Sequence, residues 1–142
     1  MGEREKRLEA AGYPLDRGPK EGPVIDLLSV LGDTVYASGQ VPYDAGVLTS
    51  KGKVPSQVSV EDATKAAALC AANILRAVIL KLGSLDKIER VVRVTGYVNT
   101  DPDFTDCHLI INGATNLLKE VFGPEAGRHA RTALGMGQLP FG

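Results

Sequence analysis

The pattern of apolar positions predicts one long helix near the middle of the chain. After residue 59, apolar residues recur at steps of three and four, which is the spacing of a single helix face. They are Val60, Ala63, Ala67, Ala71, Ile74, Val78 and Leu82. Ser59 with Asp62 is typical of a capping box, and Gly83 of a C-terminal cap. We therefore expect a helix between these caps with one face in the core.

Alternating and β-branched runs predict strands on both sides of this helix. Gly32-Asp33 separates the apolar runs Val24–Leu31 and Thr34–Ser38, which is the pattern of a β-hairpin. After the helix, the β-branched run 88–99 predicts a strand, and Asp101-Pro102 predicts the turn that ends it.

A second helix from Thr105 to Phe122 and a last strand from Ala130 through TALGM complete the order β-β-α-β-α-β. This order favours an α+β fold in which two helices cover one face of a mixed sheet. Residues 1–23, a short helix ending at Gly12 and a Pro/Gly-rich stretch, are predicted to be an N-terminal extension to a domain spanning 24–142. Residues 44–57 are predicted to be a polar loop.

Composition narrows the function classes. The 142 residues suffice for one domain, and 16 basic against 17 acidic residues give a net charge of −1. Nucleic-acid-binding proteins usually carry a basic excess, so we expect no nucleic-acid partner. Cys70 and Cys107 form neither a disulfide framework nor a zinc motif. The sequence shows no signal peptide and no apolar run long enough to cross a bilayer, so we expect a cytoplasmic protein.

Arg131 is the first candidate for a functional residue, because it opens the predicted last strand among small residues. An arginine at an exposed strand end can simply reach solvent. Its planar guanidinium can also bind a carboxylate through two hydrogen bonds, and the small neighbours leave room for a ligand.

Other candidates have structural alternatives of equal or greater weight. His129 is either a general base or a structural histidine at a loop end. The segment 101–108, DPDFTDCH, lacks zinc-like ligand spacing, and its carboxylates fit turn and helix-start roles better, so we expect no metal. A Cys107–His108 nucleophile pair is disfavoured because adjacent helix positions point in different directions. Gly39 either marks a β-bulge or lets the backbone approach a ligand.

Three stretches together resemble the RidA family, also known as YjgF/YER057c/UK114 and by the older label endoribonuclease L-PSP. They are GDTVYASGQVP before the long helix, VVRVTGYVNTDPDF, and FGPEAGRHARTALGMGQLP. The resemblance runs from about Val24 to Gly142. INGATNLLKEVFG and HARTALG are most similar to a divergent branch of the family.

The resemblance implies a chorismate-mutase-like fold, a homotrimer and a ligand pocket in each cleft between subunits. Active members hydrolyse 2-enamine and 2-imino acids to 2-oxo acids and ammonia without a metal or a cofactor. By position, the arginine that binds the substrate carboxylate would be Arg131, and the glycine facing the ligand would be Gly39. Two positions after the arginine, where many family members have a cysteine, this sequence has Ala133, whose backbone N–H can still contact a ligand. The resemblance also implies that Thr132, beside it, is a substrate-binding residue. A helix asparagine would be either Asn112 or Asn116.

Two departures from the family pattern leave the catalytic residue unassigned. The tyrosine expected before the hairpin falls near Ile25. The family also continues past Leu139-Pro140 into a strand that carries a water-positioning glutamate, whereas the sequence given ends at Gly142. We expect that strand to belong to a longer sequence.

Three functions stay open at this stage. The first is an imine and enamine deaminase, and Arg131 and Gly39 fit it and the second function equally. The second is a trimer that binds small carboxylates or has a regulatory role, without turnover, which the changes at Ile25 and Ala133 favour. The third is a ribonuclease, against which the neutral charge and the lack of an acid–base pair argue.

Overall fold

The computed structural model describes all 142 residues, and its main elements follow the predicted order. Three helices and six strands are present, with single-turn 3-10 helices at Leu15–Arg17 and Leu85–Lys87. In chain order the elements are α1 (Glu3–Ala10), β1 (Leu28–Leu31), β2 (Thr34–Ala37), β3 (Tyr43–Asp44), β4 (Val47–Leu48), α2 (Val60–Leu82), β5 (Arg93–Asn99), α3 (Cys107–Phe122) and β6 (Ala130–Met136). The predicted α+β class is confirmed.

Helix α2 begins and ends where its caps predict. The Ser59 hydroxyl accepts the Asp62 backbone N–H at 3.1 Å, which satisfies one of the free donors of the first turn. At the other end, Gly83 has φ +91° and its N–H donates to the Ile79 carbonyl. A residue with a side chain would be strained at this φ, so the glycine is what allows the helix to stop here.

The expectation that no apolar run is long enough to cross a bilayer was wrong for helix α2, which is long and apolar enough, with a mean hydropathy of 1.5 over its most apolar 18 residues. Of that window, 44% is buried inside the protein. The helix packs along α3 at the centre of the fold, and core helices commonly have this length and composition.

The strands form three two-stranded ladders. The pairs β1–β2 and β3–β4 are antiparallel, and β5–β6 is parallel, with Arg93 opposite Ala130 and Asn99 opposite Met136. Parallel and antiparallel pairing are therefore both present, but the hairpin and the parallel pair are separate ladders. Strand β6 has β5 on one edge and no strand on the other.

Two strands are shorter than predicted, because a strand extends only as far as its partner does. Strand β2 ends at Ala37, which pairs with Leu28, so residues 24–27 lie outside the ladder. Likewise β6 begins at Ala130 opposite Arg93, so residues 88–92 precede β5 instead of starting it. The predicted loop 44–57 contains β4, and its Ala45-Gly46 turn joins β3 to β4.

Helix α3 lies between α2 on one side and the β5–β6 ladder on the other, and glycines permit both approaches. A Cβ added to Gly113 would lie 2.1 Å from the Thr64 carbonyl oxygen of α2. A Cβ added to Gly96 of β5 would lie 2.4 Å from Ile111 of α3. Helix α3 is therefore in close contact with both neighbours, and this fixes which of its faces lies over β6.

The predicted N-terminal extension, residues 1–23, packs against the rest of the chain. Leu8 is fully buried in the main core, and the Arg4 guanidinium lies 4.6 Å from the Phe122 ring. The buried Glu5 carboxylate accepts hydrogen bonds from the Ser84 hydroxyl and the Leu85 N–H. Burial raises the pKa of Glu5, but these bonds outweigh it and hold the pKa below its usual range.

Candidate functional site

Arg131 is the second residue of β6, and its side chain lies on the face of the ladder that packs against α3. Side chains alternate along a strand, so Arg131, Ala133 and Gly135 share this face. The register places Ala133 beside Gly96, the glycine that lies under Ile111 of α3. The prediction that Arg131 lies at the start of the last strand is confirmed, and its side chain points toward α3.

Three oxygen atoms on one face of α3 hold the guanidinium. Arg131 Nη1 donates to Asn112 Oδ1 at 2.8 Å and to Thr115 Oγ1 at 3.1 Å. Its Nη2 donates to the His108 backbone carbonyl at 3.2 Å. Positions 108, 112 and 115 are spaced by four and three, which places them on the same helical face. The arginine is therefore held by the helix instead of extending freely into solvent.

No carboxylate of the chain neutralises this guanidinium. Arg131 takes part in none of the five ion pairs of the structure, and its three partners are all neutral oxygens. A guanidinium has five N–H donors, so two of them, including the one on Nε, have no partner within the chain. The side chain is half-buried, and two donors remain for an anion that can accept both.

His129 contacts the same Thr115 hydroxyl that accepts a hydrogen bond from Arg131. Its Nδ1 lies 2.7 Å from the Gly127 carbonyl oxygen, and its Nε2 lies 3.1 Å from Thr115 Oγ1. Both ring nitrogens are thus engaged, so this structure offers the histidine as a structural partner of Thr115 and not as a free base.

The two candidate asparagines on α3 differ in their surroundings. Asn112 is half-buried and bonds to Arg131, whereas Asn116 is exposed and makes no side-chain hydrogen bond. Of the alternatives left open by the sequence, the structure brings only Asn112 to the arginine.

Thr132 is separated from Arg131 by the strand itself. Its side chain lies on the opposite face, where its hydroxyl accepts a hydrogen bond from Arg93 Nη2 at 2.7 Å. Strand alternation predicts this separation, since neighbouring residues of a strand point to opposite faces.

Ala133 has a free backbone N–H, although its side chain is only a methyl group. The Ala130 N–H donates to the Val92 carbonyl, and the Thr100 N–H donates to the Met136 carbonyl. In a parallel ladder, every second residue of a strand directs its N–H and C=O to the same neighbouring strand. The residues that bond to β5 are therefore Ala130, Thr132, Leu134 and Met136. The N–H groups of Arg131, Ala133 and Gly135 therefore point to the open edge of β6.

Ile25 precedes and Gly39 follows the β1–β2 hairpin, whereas Arg131 lies on the separate β5–β6 ladder. Gly39 is exposed just after β2, and an added Cβ would meet no atom within 4 Å. Ile25 is 65% exposed. Gly39 and Arg131 therefore lie at two different ladders of the chain.

The segment 101–108 contributes packing and turn contacts. The Asp101 carboxylate accepts hydrogen bonds from the N–H and hydroxyl of Ser56, which lower its pKa. Cys107 is buried, which raises the pKa of its thiol, whereas the adjacent His108 is exposed. The two side chains point in different directions, and nowhere in the chain do three ligand-type side chains converge.

Sequence reasoning missed Thr115, which links Arg131 to His129. One signal was available, because positions 108, 112 and 115 share a helical face. The missing information was which face of α3 lies over the start of β6, and that depends on the Gly96 and Gly113 contacts.

Comparison with known proteins gives consistent results. Residues 5–141 match the family model described as "YjgF/chorismate mutase-like, putative endoribonuclease". The chain is 40% identical over 113 residues to protein TCP17 of Trypanosoma cruzi, covering 78% of this chain and 69% of that protein.

Two crystal structures superpose on nearly the whole chain. A protein of unknown function from Agrobacterium tumefaciens is 42% identical with a TM-score of 0.88, covering 98% of this chain and 84% of that one. A protein from Shewanella oneidensis, titled a "putative endoribonuclease", is 29% identical with a TM-score of 0.90, covering 98% of this chain and 91% of that one.

The chain therefore belongs to the YjgF/chorismate mutase-like family, and its fold is the fold of that family. The resemblance and the fold inferred from the sequence are confirmed.

Proposed function

Within this family, we propose that the protein hydrolyses 2-imino acids, formed from 2-enamine acids, to 2-oxo acids and ammonia. Arg131 binds the substrate carboxylate in this proposal. The observation that carries it is a half-buried guanidinium that is held by three neutral oxygens and keeps two donors open. A carboxylate accepts two parallel N–H bonds from such an edge.

The reaction requires little of the protein beyond position and charge. With the carboxylate on Arg131, the neighbouring imine carbon is held within a short distance of the guanidinium. Water adds to the carbon of the imine, whose nitrogen is protonated, forming a C–O bond and moving the C=N electron pair onto nitrogen. A proton then moves from the added oxygen to nitrogen, the C–N bond breaks, and ammonia leaves as the C=O bond forms. The oxygen loses its remaining proton to solvent, which replaces the proton taken up at the start. The overall balance is imino acid plus water to 2-oxo acid plus ammonia, with no redox change and no cofactor.

The backbone edge of β6 supplies a second group in this proposal. The Ala133 N–H points to the open edge of the strand, close in sequence to the guanidinium. A backbone donor does not depend on the side chain at this position, so alanine in place of cysteine is compatible with carboxylate binding.

A homotrimer with the site between subunits is part of the proposal. It is supported by large apolar side chains that remain exposed on the strands of a single chain, namely Val30, Tyr36, Tyr97 and Leu134. It is also supported by the placement of Gly39 and Arg131 at two separate ladders of one chain, since a neighbouring copy could bring the two together. Light scattering after size-exclusion chromatography should give about 45 kDa, three times the 15.0 kDa chain.

A binding protein without turnover is the second candidate, and one observation favours it. The ionisable ring in the side-chain hydrogen-bond network of Arg131 is that of His129, and both of its nitrogens are engaged. A guanidinium held in place without a free base in that network is suited to holding a 2-oxo acid.

The name "putative endoribonuclease", given to the Shewanella relative, suggests a third activity, which we do not favour here. The chain has a net charge of −1, and Arg131 takes part in no ion pair with a carboxylate. A ribonuclease would be indicated by RNA binding that weakens steeply with salt.

A coupled assay tests the proposal. A PLP-dependent dehydratase generates 2-aminoacrylate, and pyruvate formation is followed with and without this protein. We expect acceleration by the wild type and none by Arg131→Ala. No acceleration, with 2-oxo acids still bound through Arg131, would support the binding protein instead.

A further inference from the structure

We infer that Thr115 and His129 are positioning residues for Arg131, joined to it by a hydrogen-bond chain with a fixed direction. This inference rests on the proposed function, because the quantity that it affects is carboxylate binding by Arg131. The chain runs from the guanidinium through the Thr115 hydroxyl and the His129 ring to the Gly127 carbonyl.

The direction follows from the two ends of this chain. A guanidinium only donates, so Thr115 Oγ1 must accept from Arg131 Nη1. A carbonyl only accepts, so His129 Nδ1 must donate to Gly127. The Thr115 hydroxyl proton is then free to donate to His129 Nε2, which accepts in the neutral ring. Every group has a matching partner only when His129 carries its proton on Nδ1.

The consequence for Arg131 is a fixed guanidinium plane. Thr115 and Asn112 together occupy both hydrogens of Nη1, and the His108 carbonyl takes one hydrogen of Nη2. Each bond removes a rotation that would turn the open donors away from a ligand. Asn112 and His108 connect the arginine only to α3. Thr115 also connects it, through His129, to the loop before β6.

Burial makes the Thr115 link effective. Thr115 and His129 are both half-buried, and Gly127 is buried against α3, where an added Cβ would lie 2.6 Å from the Leu118 carbonyl oxygen. The Gly127 carbonyl, which accepts the last hydrogen bond of this series, therefore lies in a packed loop. Loss of the Thr115 hydroxyl would leave an Nη1 hydrogen and His129 Nε2 without partners inside this packing.

The first test measures binding of 2-oxobutanoate by calorimetry. Thr115→Val, which keeps the shape but removes the hydroxyl, should weaken binding about 5- to 10-fold, the net worth of about one typical hydrogen bond. Thr115→Ser should restore affinity to within about twofold, because it returns the hydroxyl. Thr105→Val is the matched control, since Thr105 is exposed and makes no side-chain hydrogen bond, and it should bind as the wild type does.

The second test reads the hydrogen-bond chain without any ligand. Long-range proton–nitrogen NMR of the histidine rings should show His129 protonated on Nδ1 in the wild type. In Thr115→Val, the Nε2 resonance should move while the rest of the spectrum stays folded. A wild-type ring protonated on Nε2 would overturn the inference.

The outcomes separate this inference from the proposed function. If Arg131→Ala leaves 2-oxobutanoate affinity unchanged, or if the wild type does not bind it, the proposed function fails and the NMR experiment still decides the chain's direction. If Arg131→Ala abolishes binding but Thr115→Val leaves it unchanged, the carboxylate site stands and the positioning role of Thr115 is refuted.

Discussion

Two arginines of this fold, Arg76 and Arg131, have contrasting partners. Arg76 lies in the middle of α2 with its side chain 1% exposed, and it donates to Asn73 Oδ1 and the Pro14 carbonyl, both at 2.9 Å. The Asp44 carboxylate lies 3.8 Å away and provides the compensating charge. Arg131 is also held by neutral oxygens but has no carboxylate at all.

The difference separates a structural arginine from one that is available for an anion. The charge of Arg76 is balanced within the fold, and Arg17 shares the same carboxylate through a hydrogen bond of 2.6 Å. The charge of Arg131 is unbalanced, although its position is equally well determined. An arginine that is held in place but not neutralised is the arrangement expected of an anion-binding site.

The largest effect on folding should come from Arg76. We expect Arg76→Met, which roughly retains the packing volume, to lower the free energy of unfolding by about 2–4 kcal/mol, because Asn73 and the Pro14 carbonyl lose a buried partner. Arg131→Met should change it by less than about 1 kcal/mol, since the guanidinium is only half-buried. Urea denaturation followed by circular dichroism measures both. Equal losses in the two variants would refute the contrast.

A smaller effect should separate charge from geometry at Arg131. Lysine keeps the positive charge but cannot present two parallel donors, so Arg131→Lys should bind 2-oxobutanoate about tenfold more weakly than the wild type. The control is Lys51→Arg, a swap between the same two residue types at an exposed position. Undiminished binding by Arg131→Lys would mean that charge alone suffices.

The smallest effect should be a difference in acid sensitivity at the Arg76 site. Hydrogen bonding to Arg17, with its charge, holds the pKa of Asp44 below its usual range. A carboxylate with a lower pKa in the folded state contributes stability above its unfolded pKa of about 4, and this is lost as the pH falls through the folded value. Stability should therefore decline below about pH 4 more steeply in the wild type than in Asp44→Asn. Identical slopes in thermal melts would contradict this.

Local sequence signals predicted the elements better than their ends. Ser59 and Gly83 fixed both ends of α2, because a cap depends on residues adjacent in the chain. The starts of β1 and β5 were wrong, because a strand ends where its partner does and the partner is distant in sequence.

The site was predictable only in part for the same reason. Arg131 could be selected from its small neighbours and its place at the start of a strand. Thr132 was counted with the substrate-binding residues, although alternation along the strand places its side chain on the other face, where it bonds to Arg93. The choice of Asn112 over Asn116, and the link through Thr115 to His129, depend on how α3 is rotated over β6. That rotation depends on packing at Gly96 and Gly113, which local patterns do not encode.

The most direct test of the central claim is calorimetric titration of 2-oxobutanoate into the wild type and Arg131→Ala, with folding checked by circular dichroism. We expect measurable binding by the wild type and at least about a 100-fold loss in the variant, because a bidentate ion pair is removed while the fold is retained. Equal affinity in the two proteins would contradict it, and would show that the open guanidinium does not bind the carboxylate.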